Sequence, residues 1–211
     1  MAMFPVLDVS GGAFERGRAH GRQARDRVER SLANYARLFA FYGMPWTEAR
    51  RRAADYRDVI GAFDASLLEE IEGIAQGSGR SVEEILALNA RTEILPPAFL
   101  TGADAGECTA IAVTPAGSAT GGTLLAQNWD WVGAQREAMI VLRIPESDAP
   151  ACLTLTEAGM LAKIGLNAVG LGVCLNILRS IFDGSQAGVP VHVLLRALLR
   201  RASVRDEPKT V

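Results

Sequence analysis

The stretch Gly106-Glu-Cys-Thr-Ala-Ile-Ala-Val-Thr114 marks where the chain changes character. Immediately upstream, Pro96-Pro97, Gly102 and Gly106 punctuate a segment with few large apolar residues, which reads as an exposed connector. Immediately downstream begins a run of β-branched residues. Val, Ile and Thr number 13 in residues 1 to 107 and 17 in the 81 residues from Cys108 to Gly188. These types suit a pleated surface better than a helix, so the division predicts an α+β protein: a helical segment over 1–107, then an antiparallel sheet portion over 108–211.

Working outward, Val28, Leu32, Tyr35, Phe39 and Tyr42 recur at helical spacing and predict a helix from about Ala13 to Tyr42. Val59, Phe63, Leu67, Ile71 and Ile74 mark a second helix, stopping near Gly77-Ser78-Gly79. Ser81-Val-Glu-Glu84 reads as a capping box, and Pro96-Pro97 closes the helix that it opens. Strands are expected at Cys108–Thr114, Thr123–Asp130, Ala138–Ile144, Ala151–Thr156, Met160–Leu166 and Leu171–Leu178, separated by turn residues. Pro190 starts a last helix with Val191, Leu194, Leu195, Leu198 and Ala202 on one side.

With 22 Lys plus Arg against 24 Asp plus Glu, the charge is nearly balanced, so no nucleic-acid partner is expected. The most apolar run, Gly159 to Leu178, carries Lys163, Asn167 and Asn176 and is better explained by two strands around a turn than by a membrane span. The N-terminus lacks the basic start and apolar run of a signal peptide, which makes a reducing, cytoplasmic location the expectation. Three cysteines without a paired spacing and two distant histidines predict neither a disulfide framework nor a zinc site, and no metal is expected.

Cys108 stands at the junction between connector and sheet. A free cysteine is commonly a small core hydrophobe, and a reactive one needs a base or positive charge nearby. His192, expected on the surface of its helix, and His20, expected to be structural, are not obvious partners. A different solution needs no histidine. Cutting the backbone before a cysteine frees an α-amine with an ordinary pKa near 8, able to serve as base for the same residue's thiol.

Glu107-Cys-Thr109, Gln127-Asn-Trp-Asp130, Thr156-Glu-Ala-Gly159, Gly165-Leu-Asn167 and Gly170-Leu-Gly-Val-Cys-Leu-Asn176 resemble, in order and spacing, the acyl-CoA:6-aminopenicillanic acid acyltransferase family, peptidase family C45. The resemblance covers roughly Gly11 to Ala202. The resemblance implies an αββα sandwich of the N-terminal nucleophile hydrolases and self-cleavage at Glu107-Cys108, with the two chains remaining associated. Glu107 stands where the family prototype has glycine.

Cys108 would then take an acyl group from a small-molecule amide or thioester and pass it to water or an amine. Asp130 matches the family's acidic residue beside the nucleophile. Asn176 resembles the asparagine that related bile salt hydrolases place near theirs, and its amide could donate to an oxyanion. Gln127 sits where those hydrolases carry arginine. Trp129 and Trp131, offset by two, are expected on one strand face as core or pocket wall. No prosthetic group is implied; acyl-CoA enters as a cosubstrate only if transfer is the activity, and a homo-oligomer stays open. A rival reading follows from length: family members extend well past Ala202, so the chain could be a truncated, inactive member acting as an interaction module or incomplete fragment.

Overall fold

The computed structural model describes residues 4–95, 108–177 and 187–203. It is an α+β arrangement of a helical layer against a five-stranded sheet, with a separate two-stranded hairpin. In chain order the elements are β1 (Val6–Asp8), α1 (Ala13–Gln23), α2 (Arg25–Phe41), α3 (Trp46–Ala54), α4 (Tyr56–Phe63), α5 (Ala65–Ser78), α6 (Val82–Asn89) and α7 (Arg91–Ile94). There follow β2 (Thr109–Val113), β3 (Leu124–Asn128), β4 (Met139–Ile144), β5 (Cys152–Glu157), β6 (Ile164–Asn167), β7 (Gly172–Val173) and α8 (Val191–Leu199).

The helix expected over Ala13–Tyr42 is broken at Ala24, whose backbone leaves the helical region. The break gives its two halves different partners. α1 packs on α5 with almost no side chain between them, because each contributes two glycines four residues apart. A Cβ added at Gly17 would lie 1.9 Å from the Glu70 carbonyl oxygen, and one at Gly73 would lie 2.1 Å from that of Phe14. Gly21 and Gly77 are equally constrained, at 2.3 Å and 2.2 Å from the carbonyls of Ile74 and Arg18. α2 instead buries Val28, Leu32, Tyr35 and Phe39 in the core. The expected stops are present: Gly79 ends α5 in the left-handed conformation, and the Ser81–Glu84 capping box opens α6 with both of its hydrogen bonds formed.

The sheet runs β1-β4-β5-β6-β7, with β1 parallel to β4 and the remaining pairs antiparallel. The short parallel edge strand from the N-terminus was not expected; three residues of Val-Leu-Asp carry too little pattern to separate from coil. β4 points Ile140, Leu142 and Ile144 into the core. β5 buries Cys152, Thr154 and Thr156 and leaves Leu153 exposed beside Leu166, its cross-strand partner on β6. Both faces of this sheet are therefore apolar.

β6 starts at Ile164, four residues later than expected, because Gly159 turns the chain at positive φ and Met160, Leu161 and Ala162 pack into the core without pairing. Asn89 of α6 holds that turn: its Nδ2 donates to the Gly159 carbonyl and its Oδ1 accepts from the Leu161 amide, each at 2.9 Å.

α8 is tied down twice. Asn167 Nδ2 donates to the carbonyls of Leu199 and Arg201, while its Oδ1 accepts from the Val169 and Leu171 amides. Arg196 reaches Glu70 of α5 at 3.2 Å and Glu146 at 2.6 Å, and Arg16 of α1 also bonds Glu70 at 3.1 Å. His192, expected on the surface of α8, is fully buried instead, with Nε2 3.5 Å from the Thr92 hydroxyl of α7. Apolar periodicity places a helix's greasy face and says nothing about a second face covered by α7. Among the described residues, no helix is long and apolar enough to cross a membrane.

Candidate active site

Cys108 precedes β2, half-buried, where the hairpin meets the end of β7. Thr109 pairs with Asn128 across the hairpin and Ala110 with Gln127, which brings the Gln127-Asn-Trp-Asp130 stretch alongside the cysteine. The Cys108 Sγ lies 3.9 Å from the Asp130 carbonyl oxygen. Asn176 Nδ2 donates to the Cys108 carbonyl at 2.8 Å. The three residues singled out from the sequence thus lie together, Asp130 reaching the thiol through its backbone carbonyl and Asn176 donating its side-chain amide to the Cys108 carbonyl. Asp130 faces the thiol with its backbone, its carboxylate accepting from Asn128 Nδ2 at 2.9 Å, and Asn176 holds the backbone of the cysteine itself. Glu107 and the connector from Pro96 lie outside the described residues.

Gln127 has a role that its residue type alone did not indicate. Its Nε2 donates to the Leu175 carbonyl at 2.5 Å and its Oε1 accepts from the Leu175 amide at 2.8 Å. The side chain behaves like one rung of a β-ladder between hairpin and sheet, and so fixes the segment that delivers Asn176. Gly172 permits the same approach: a Cβ there would meet Leu125 Cδ2 at 2.8 Å.

Beneath this surface lies a buried ionic cluster that sequence reading missed. Glu157, in the Thr156-Glu-Ala-Gly159 motif, accepts from Lys163 Nζ at 2.7 Å, from the Tyr35 hydroxyl at 2.5 Å and from Gln135 Nε2 at 2.9 Å, with Arg91 Nη2 at 3.7 Å. Trp131 Nε1 donates to the Tyr35 hydroxyl at 3.0 Å, and the Arg91 guanidinium stacks 4.2 Å from the Trp131 ring centre. Lys163 Nζ sits 3.9 Å from the Trp129 ring centre. Both tryptophans follow β3 rather than sharing a strand face as expected, and act as lids over buried charge.

Burial pushes the Glu157 carboxyl up, but Lys163, Arg91 and its hydrogen bonds outweigh this and hold it below its ordinary value. Burial, then the neighbouring Arg91, lowers Lys163 to about 7 against the opposing pull of Glu157 and of Cys108. Burial raises the Tyr35 phenol well above 10 and drives His192 well below its usual range, so both are neutral at neutral pH.

A pocket of about 370 Å³ opens beside this cluster, walled by Trp129, Trp131, Met139, Leu155 and Ile164, with Gln127, Gln135 and Arg136 as polar members. That volume falls in the range of small-molecule sites. Its composition suits an apolar group lying next to Trp129. Among the described residues, no group of three or more His, Cys, Asp or Glu is placed to hold a metal ion.

No protein-family model matches the chain. The chain is 38% identical over 135 residues to the 40 kDa form of acyl-coenzyme A:6-aminopenicillanic-acid acyltransferase of Emericella nidulans. The matched region covers 64% of this chain and 36% of that protein, so the chain spans little more than a third of the length of this curated relative.

Proposed function

We propose that the chain is an autoprocessing cysteine hydrolase or acyltransferase of the N-terminal nucleophile type, acting on a small-molecule acyl amide or acyl thioester. The Cys108 thiol attacks the Glu107 carbonyl, the acyl bond shifts from nitrogen to sulfur, and water hydrolyses the thioester. This frees the Cys108 α-amine as base for later turnovers. In each turnover the thiol takes an acyl group, the leaving amine or thiol departs with the proton, and water or an amine accepts the acyl group from sulfur. The observation that carries this reading is the placement of Cys108 at the start of a strand, clamped through its carbonyl by Asn176 and flanked by Asp130.

The relative named as an acyltransferase supports the reaction class, and acyl-CoA would be the cosubstrate if transfer is the activity. A sheet apolar on both faces is what the αββα sandwich requires of its inner layers. The experiment is incubation with a panel of acyl-CoA thioesters and N-acyl amines, followed by mass analysis. An acyl adduct on the peptide beginning at Cys108, absent from Cys108→Ala, supports the reading; no adduct and no turnover with any of them contradicts it.

One observation favours a second reading, an inactive interaction module. Leu153 and Leu166 on the sheet, and Ile111 and Leu124 on the hairpin, are all about half exposed or more, which favours coverage by further polypeptide.

A further inference from the structure

The hairpin forms no backbone ladder with the five-stranded sheet. Among the described residues, its hydrogen bonds to the segment that follows β7 are the two that Gln127 makes with Leu175 and the one from Asn176 to the Cys108 carbonyl. Gln127 meets both the carbonyl and the amide of one residue, so it must offer a donor and an acceptor side by side. Arginine and lysine only donate and an ionised carboxylate only accepts, which makes the amide the fitting group. Across the hairpin Gln127 pairs with Ala110, two residues from Cys108. It also lines the 370 Å³ pocket, and so stands between that pocket and the segment that clamps the cysteine.

We propose that Gln127 is the positioning residue of the nucleophile: by splicing hairpin to sheet through Leu175, it sets Asn176 on the Cys108 carbonyl and fixes where the cysteine stands relative to the pocket. Asn176 follows Leu175 directly, so a shift of the Leu175 backbone carries the Asn176 side chain away from its acceptor. Packing does not specify this by itself. Leu125 lies so close to Gly172 that a Cβ there would meet it at 2.8 Å, which keeps the hairpin against β7, but an apolar contact is non-directional and sets no register. Gln127 acts only through Leu175 and Asn176 and gives no proton or electron pair to the reaction.

This inference rests on Cys108 being the nucleophile, and its test separates the two. Gln127→Met keeps the bulk of the pocket wall and loses both hydrogen bonds; Gln127→Glu keeps the shape and regains the donor only when its carboxyl is protonated. Single-turnover acylation of Cys108 by acyl-CoA thioesters is followed by mass from pH 5 to 8, relative to wild type in the same processing state. Hydrogen exchange of the Asn176 side-chain amide is followed alongside by NMR. Gln127→Met should acylate about tenfold more slowly at every pH, with the half-saturating thioester concentration little changed. Gln127→Glu should be as slow at pH 8 and approach wild type toward pH 5. The Leu175 carbonyl favours the protonated carboxyl and raises it above its ordinary value of about 4.3, against the pull of Arg136 in the same pocket lining. A purely structural glutamine would produce no such step. Exchange at Asn176 should be faster wherever acylation is slower. Wild-type rates in Gln127→Met, or a Gln127→Glu rate with no pH step relative to wild type, overturn the proposal. Should Gln127→Met not fold, the Gln127→Glu profile decides alone. A wild type that forms no acyl adduct fails the enzymatic reading, and the exchange pattern then decides this inference; acylation indifferent to both variants fails this inference alone.

Discussion

At the scale of single residues, the site is built from side chains that substitute for backbone. Gln127 reads both polar groups of Leu175, and Asn176 caps the carbonyl of Cys108. Truncating Asn176 to Ala should leave the fold intact and slow acyl-adduct formation on Cys108 by about a hundredfold, since small displacements of a nucleophile are costly. Single-turnover mass kinetics measure it.

His20 is a second residue whose chemistry can be checked. The Gly159 amide donates to its Nε2 at 3.1 Å, which requires that nitrogen to be unprotonated, and burial lowers its pKa to about 4. Between pH 6.5 and 4 the unfolded chain therefore binds a proton that the folded chain does not. Stability should fall as pH drops through that window, by on the order of 3 kcal/mol for this group. Urea titrations at pH 7 and 4.5 should show a smaller loss in His20→Gln.

At the scale of elements, the glycines of α1 and α5 set the crossing. Alanine in a helix is ordinarily better than glycine by about 0.5–1 kcal/mol. At Gly17 or Gly73 the added methyl would strike a carbonyl of the facing helix, so substitution should destabilise by about 2–3 kcal/mol. Gly12→Ala, with nothing within 4 Å, is the control, and thermal melts separate them.

These glycines also mark where the sequence was hard to read. Large apolar residues announced the main helical stretches and most strands, because burial of a stripe leaves a periodic trace, and Ser81 with Glu84 announced the capping box. A close helix crossing leaves only small residues, easily mistaken for weak helix. Lys163 counted against a membrane span but gave no sign of being buried, since its partner Glu157 and its roof Trp129 are brought to it only by the folded sheet. The convergence of Cys108, Asp130 and Asn176 was legible through motif order, whereas the atoms they present to one another were not.

At the scale of the whole molecule, one core draws on both halves of the chain, and buried ion pairs stitch them together. Arg196 of α8 joins Glu70 of the helical layer to Glu146 after β4. Arg196→Met should cost about 3–5 kcal/mol, the expected penalty for stranding buried carboxylates, measurable as a lowered urea midpoint. Such stitching would also keep the two chains together after a cut between residues 107 and 108.

Intact mass of the freshly purified protein shows whether that cut is made. The 211-residue chain should resolve into fragments of 107 and 104 residues, the second beginning at Cys108, while Cys108→Ala stays whole. A parent that remains a single uncut chain, as its variant does, would contradict it.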